Sequence, residues 1–358
     1  MPKQAANRDK VFTNFLKILG VLLLLGFLYL IQEALITVIF AIALAYFLRP
    51  LVLFIDKIKI GKYQPSRDFS VGLAFIIAFV VIGLFGYYLF PPIIAEFNQL
   101  MQNFPNYFIK FQQIFTNFQR QYLHQLPAAW QDTVDQGIQY TYTYLSKFME
   151  QGIQKLIGVI SNILSWVLIP VITYYMLKED QQLKDGLLYL FPREHRSMLS
   201  KLLDGVSSIL TQFVKGQITL CFIIGVTIAV SYSILGVKYA LLLALIAGIT
   251  EAIPFIGPFL GYLPVLIVTL VASPAIFIEA TFIYFFLQLV ENWVLVPRIM
   301  GYYVRLPSAM VLISMLVMTQ VMGASGLFFA VPIVASANVA FEILRKNHWQ
   351  LTESKKGR

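Results

Sequence analysis

Apolar residues along this chain come in long blocks separated by short polar stretches. The blocks fall near 15–32, 34–55, 69–92, 156–177, 217–236, 239–271, 275–297 and 308–344. About 20 residues at roughly 1.5 Å each cross a hydrocarbon core of about 30 Å. The pattern predicts an all-α polytopic membrane protein. The sixth and eighth blocks are too long for one span, and each is interrupted. The sixth carries GITEAIPFIGPFLGYLP at 248–264, and the eighth carries GASG at 323–326 followed by Pro332. Prolines remove backbone donors and block helix continuation, so each block reads as a helical hairpin. The predicted architecture is six spanning helices plus two re-entrant hairpins, with amphipathic helices outside the membrane.

Three stretches between the blocks are amphipathic. Phe97, Phe104, Phe111 and Phe118 recur every seven residues, as do Met101, Phe108, Phe115 and Tyr122, which makes an a/d stripe that Pro105 is expected to break or kink. A second stretch, 128–152, carries Trp130, Val134, Ile138, Leu145 and Phe148. These helices either pack on their own bundle or in the headgroup region, or form a subunit interface. The 194–215 stretch, with Met198, Leu202, Val206, Ile209 and Phe213 on one side, is expected to lie along the cytoplasmic surface. The chain then divides into N-terminal transmembrane helices (1–92), an extracytoplasmic amphipathic segment (93–155), a transmembrane plus cytoplasmic helix (156–216), a half with two broken hairpins (217–346) and a tail (347–358).

Composition agrees with the block pattern. Hydrophobic residues make up 58% and charged residues 13%, against about 45–50% and about 25% in soluble domains. The net charge of +9 reflects cytoplasmic loops rather than nucleic-acid binding. The single cysteine, Cys221, excludes an intrachain disulfide and a cysteine metal framework. Lys3, Arg8 and Lys10 precede an apolar segment with no small-residue cleavage site, so the N-terminus reads as a retained helix. There is no Walker loop, strand-linked GxGxxG or HExxH, and His124, His195 and His348 are scattered through polar segments. No enzyme activity and no resident cofactor are expected. Uphill transport would draw on a proton or sodium gradient or on another subunit.

Charge placement sets the expected topology. With both termini cytoplasmic in a plasma membrane, the N-terminal tail, the 49–67 and 178–215 loops and the C-terminus hold 20 of the 27 Lys and Arg. If block six dips in and returns to one face, Arg298 and Arg305 join that set, as the positive-inside rule favours. Block eight must then also be a hairpin. Block five with hairpin six and block seven with hairpin eight become topological mirror images, as in inverted-repeat transporters.

Irregular backbone at membrane depth survives only where protein or water satisfies the freed groups. The 248–264 tip should therefore line a cavity. Glu251 sits in it, and burying a carboxylate costs about 2.5–3.5 kcal/mol on insertion scales. Glu251 either serves transport or bonds the backbone freed by Pro254. Gln288, Glu291 and Asn292 share a helix face at i, i+3, i+4, with Arg298 seven residues past Glu291. They form either a solute-facing stripe or an inter-helix clamp. Thr319, Gln320 and Ser325 mark the second tip.

EAIPFIGPFLGYLP (251–264), ENWVLVPRIMG (291–301) and GASGLFFAVPIVA (323–335), together with ITYYMLKED (172–180) and FVKGQ (213–217), resemble the autoinducer-2 exporter family. Its proteins are permease-like, and some are described as sodium/proton antiporters. The resemblance covers nearly the whole chain and is weakest over 93–155. It implies an all-helical exporter and a homo-oligomer, with pentamers known among such proteins. It carries Glu251, Pro254, Gly257 and Pro258 over from the first block and Glu291, Asn292, Pro297, Arg298 and Gly301 from the second. The leading expectation is a secondary transporter exporting a small polar metabolite such as autoinducer-2. The alternatives are a sodium/proton antiporter and a non-transporting scaffold that binds a partner through 93–155.

Overall fold

The computed structural model describes residues 32–58, 65–122, 163–300, 306–323 and 325–356, with Gln136, Gly137, Tyr140 and Thr143 as isolated positions. The expected first segment (15–32) and nearly all of the 128–152 stretch lie outside the described residues. Every described element is helical. In chain order they are α1 (Gln32–Asp56), α2 (Arg67–Tyr122), α3 (Ile163–Lys178), α4 (Asp180–Tyr189), α5 (Arg193–Ile234), α6 (Ala240–Thr250), α7 (Gly257–Ala272), α8 (Pro274–Val290), a wide π-helical turn (Glu291–Leu295), α9 (Val296–Met300), α10 (Ser308–Met322) and α11 (Ser325–Lys356).

Among the described residues, five helices are long and apolar enough to cross a membrane: Ile36–Asp56, Arg67–Phe111, Arg193–Ile234, Pro274–Met300 and Ser325–Arg345. Both arms of the 240–272 hairpin are shorter than a span. The second hairpin is lopsided, since α10 has 15 residues and α11 has 32. By length alone α11 qualifies as a span, so length does not reproduce six spans plus two symmetric hairpins.

Two helices continue where breaks or surface helices were expected. Pro91, Pro92 and Pro105 all lie inside α2, which runs unbroken for 56 residues, or roughly 84 Å. Only the start of the stripe is seen to pack on the bundle: Phe97 and Met101, with buried Leu100 and with Tyr107 beside them, belong to the same cluster as residues of α5, α6 and α8. Likewise 194–215 is not a separate surface helix. It is continuous with block five in the 42-residue α5, because no proline or glycine turn interrupts it.

At one end of the molecule, a polar cluster joins α1 to α5. Arg67 Nε donates to the Leu177 carbonyl at 3.0 Å, and its guanidinium pairs with Asp56 and with Asp180 at 3.1 Å. Arg49 donates to Ser207 Oγ at 2.6 Å. The far part of α11 reaches this end too, with Val339 and Ile343 against Gly205. Arg67→Lys should lower the thermal midpoint by an amount equivalent to about 1–3 kcal/mol, because an ammonium cannot reproduce a planar fork bonded three ways. Breaking the Lys184–Asp204 pair, whose Asp side chain is 64% exposed, should change it by under about 1 kcal/mol. A thermal-shift assay in detergent compares Arg67→Lys with Lys184→Ala.

The first hairpin is placed on α5 by one contact at its tip and one to the helix that follows it. Tyr232, near the C-terminus of α5, donates to the Ala280 carbonyl of α8 at 3.1 Å. Gln217, four turns earlier, donates to the Glu251 carbonyl. The hairpin therefore leaves and returns at one end of α5, and its tip reaches about 22 Å along that helix. At its base, Glu96 of α2 accepts the Leu242 N–H at 2.7 Å, a carboxylate cap on the first turn of α6.

Candidate functional site

The residues at the hairpin tip explain its shape. Thr250 is the last residue of α6, and Pro254 cannot supply the next donor. The chain turns tightly at Phe255, with the Ile256 N–H bonded to the Pro254 carbonyl at 2.8 Å. Phe255 has φ +64, left-handed backbone that is rare for a bulky residue and tends to persist at functional sites. Gly257 then starts α7 hard against the end of α6. A Cβ there would sit 2.0 Å from the Thr250 carbonyl oxygen, an approach open only to glycine. The second hairpin repeats the device, since a Cβ on Gly326 would sit 2.1 Å from the Met318 carbonyl oxygen.

This tip, the middle of α5, α8 with its π turn, and α9 border a partly open cavity of about 440 Å³. Glu251, Pro254, Pro258, Gln288, Glu291 and Asn292 all line it. Six aromatic rings supply much of the remaining wall: Phe213, Phe255, Phe259, Tyr262, Tyr284 and Phe285. Both carboxylates are buried, Glu251 at 2% exposure and Glu291 at 6%. Gln288 Nε2 reaches Glu251 Oε2 at 3.4 Å, a long, weak contact. Glu291 Oε2 is buried with no hydrogen-bond partner among the described residues. No Lys, Arg or His lines the cavity among those residues.

The freed backbone is satisfied by side chains from neighbouring helices. Gln217 bonds the Glu251 carbonyl at 2.5 Å, and Tyr284 donates to the Pro258 carbonyl at 2.8 Å. The Glu251 carboxylate is thus not the group that bonds the tip's backbone. Gln217→Leu leaves a buried carbonyl without a donor, which costs about 1–3 kcal/mol. The expected outcome is a lower thermal midpoint with little change in Gln212→Leu, whose side chain bonds only exposed Ser208.

Four of the expected site residues do not line the cavity. Gly257 positions the tip. Arg298 is exposed and has no ion pair among the described residues. The reason is the π turn at 291–295, which inserts about one residue, or roughly 100° of rotation, between Glu291 and Arg298. Pro297 follows that turn directly, and a wide turn takes up its missing N–H. Gln320 is exposed, and Ser325 bonds the Met322 carbonyl at 2.6 Å. The second hairpin meets the cavity instead through Val311 and Val331.

Residues 18–346 match the AI-2E family transporter description. The chain belongs to the AI-2E transporter family. This AI-2E family transporter is 27% identical over 317 residues to YrrI of Bacillus subtilis, which carries the provisional name of transport protein, with 87% of each chain covered. It is 23% identical over 349 residues to the sodium-lithium/proton antiporter of Halobacillus andaensis, covering 91% of this chain and 96% of that one. PerM of Escherichia coli K12, provisionally named a permease, is 22% identical over 311 residues and 86% of each chain. Family and relatives point to a multi-pass membrane protein that transports rather than catalyses.

Gln217, Tyr262 and Tyr284 were not singled out from the sequence of this AI-2E family transporter. Gln217 carried a signal in retrospect, as a polar residue inside an apolar block. The tyrosines had none, because a tyrosine in an apolar block is ordinary packing.

Proposed function

We propose that this protein is a secondary transporter that exports a small polar organic solute by alternating access, with the 251–258 tip and the Gln288–Glu291–Asn292 face as its binding site. The observation that carries this reading is the cavity itself, bordered by broken helix and walled by two buried carboxylates. Its volume falls within the roughly 300–1,000 Å³ typical of organic-ligand sites and exceeds what a bare ion needs. The family description supplies autoinducer-2 as the first candidate solute. In this reading the first hairpin is re-entrant, both termini are cytoplasmic, and movement of the hairpin-bearing half against α1–α3 opens the cavity to each side. Assembly as a homo-oligomer, up to a pentamer, is compatible with the long exposed apolar face of α2.

A second reading is cation/proton antiport. It is favoured by the paired carboxylates in a cavity without cationic side chains, and by the printed activity of the Halobacillus relative. Everted vesicles separate the two. Solute-dependent uptake of autoinducer-2, saturable and showing counterflow, supports the exporter. Sodium-dependent proton flux with no organic solute present supports the antiporter. Flux that neither saturates nor shows counterflow would sink both.

A further inference from the structure

The charge and lining of the cavity narrow the solute. We infer that the site takes a solute bearing a primary ammonium group, held by Glu251 and Glu291 with its carbon skeleton against the aromatic wall. This rests on the transport reading and adds a substrate class to it.

Three observations converge. First, two carboxyl groups face one partly open cavity, and the described lining holds no cationic side chain to balance them. Adjacent buried carboxylates are unfavourable without a counter-charge or a proton. Second, Glu291 Oε2 is buried, belongs to a residue that is 6% exposed, and accepts no hydrogen bond among the described residues. A buried acceptor of this kind calls for a donor, and –NH₃⁺ supplies three. None of the amides present reaches that oxygen: Gln217 donates to the Glu251 carbonyl, Asn292 to the Gln288 carbonyl at 2.9 Å, and Gln288 to Glu251. Third, Phe255, Phe259, Tyr262 and Phe285 crowd the same space. Ring faces attract cations and accept apolar skeletons but give nothing to an anion. An anionic solute would meet two carboxylates and no Lys or Arg. A neutral polyol would satisfy the free oxygen but would require the pair to hold a proton.

The test uses three compounds of nearly one shape: 2-phenylethylamine, 2-phenylethanol and 3-phenylpropionate. Each is titrated calorimetrically into the full chain in lipid nanodiscs, with empty nanodiscs subtracting membrane partition. The amine should bind at least tenfold more tightly than the alcohol, and the carboxylate should not bind. In the Glu251→Gln/Glu291→Gln double variant the amine should lose that advantage. Equal binding of amine and alcohol to the unaltered chain, or binding of none of the three, overturns the ammonium inference without recourse to any variant. An amine advantage that survives in the double variant overturns the assignment to this pair. Saturable counterflow of autoinducer-2 alongside equal amine and alcohol binding would leave the transport reading standing while removing this one.

Discussion

Gly257→Ala is expected to collapse the site. The added methyl would meet the Thr250 carbonyl oxygen at 2.0 Å, its carbon at 2.7 Å and the Glu251 Cα at 3.1 Å. These are backbone atoms of α6, so no side chain can swing aside. The two hairpin arms must separate, and the separation starts at Glu251. Overpacking of this kind typically costs about 1–3 kcal/mol and sometimes more. Backbone on both sides places this case at the upper end. Gly257→Ala should therefore lower the thermal midpoint and remove solute binding, and Gly257→Val should prevent accumulation of folded protein. Gly72→Ala is the matched control, since a Cβ there meets nothing within 4 Å. It should leave stability unchanged or raise it slightly, because alanine favours helix over glycine.

Glu251→Gln and Glu291→Gln should each reduce transport by at least tenfold, about 1.4 kcal/mol in the barrier, while the protein remains folded. Glutamine keeps the shape and the hydrogen-bonding capacity. It removes the charge that the account assigns to solute or coupling ion. The two carboxyls work in one cavity, so their effects should not add, and the double variant should transport no worse than about the poorer single. Transport rates in vesicles, normalised to protein recovered by size-exclusion chromatography, check both points. Additive losses would mean that the two carboxylates act at separate places.

Much of this site could be read from residue types alone. Three prolines, three glycines and a carboxylate inside one apolar block forced a bend, and the bend forced a wetted or sheltered location. Gln288, Glu291 and Asn292 were joined to it by helical spacing. What could not be read is equally physical. The π turn shifts the helical phase after Glu291, so the spacing that placed Arg298 beside it stopped applying. Gln217 reaches Glu251 across 34 residues of sequence, a pairing that only the fold creates. The prolines of α2 sit within a helix that survives them, whereas Pro254 ends one, and a proline alone does not tell the two apart. The lopsided second hairpin was hidden because its break lies near the middle of the apolar block, while α11 runs on past that block into the polar tail.

If the broken backbone around Pro254 and Pro258 borders water rather than lipid or dry side chains, a cysteine at its edge should react with a polar reagent. Phe259 and Phe282 make the comparison clean: they are 72% and 69% exposed, yet Phe259 lines the cavity and Phe282 does not. In a Cys221→Ser background, Phe259→Cys and Phe282→Cys are treated in membranes with a small, charged methanethiosulfonate reagent. Prompt modification is expected at 259 and none at 282. No modification at 259, or equal modification at both positions, would contradict a water-bordered tip.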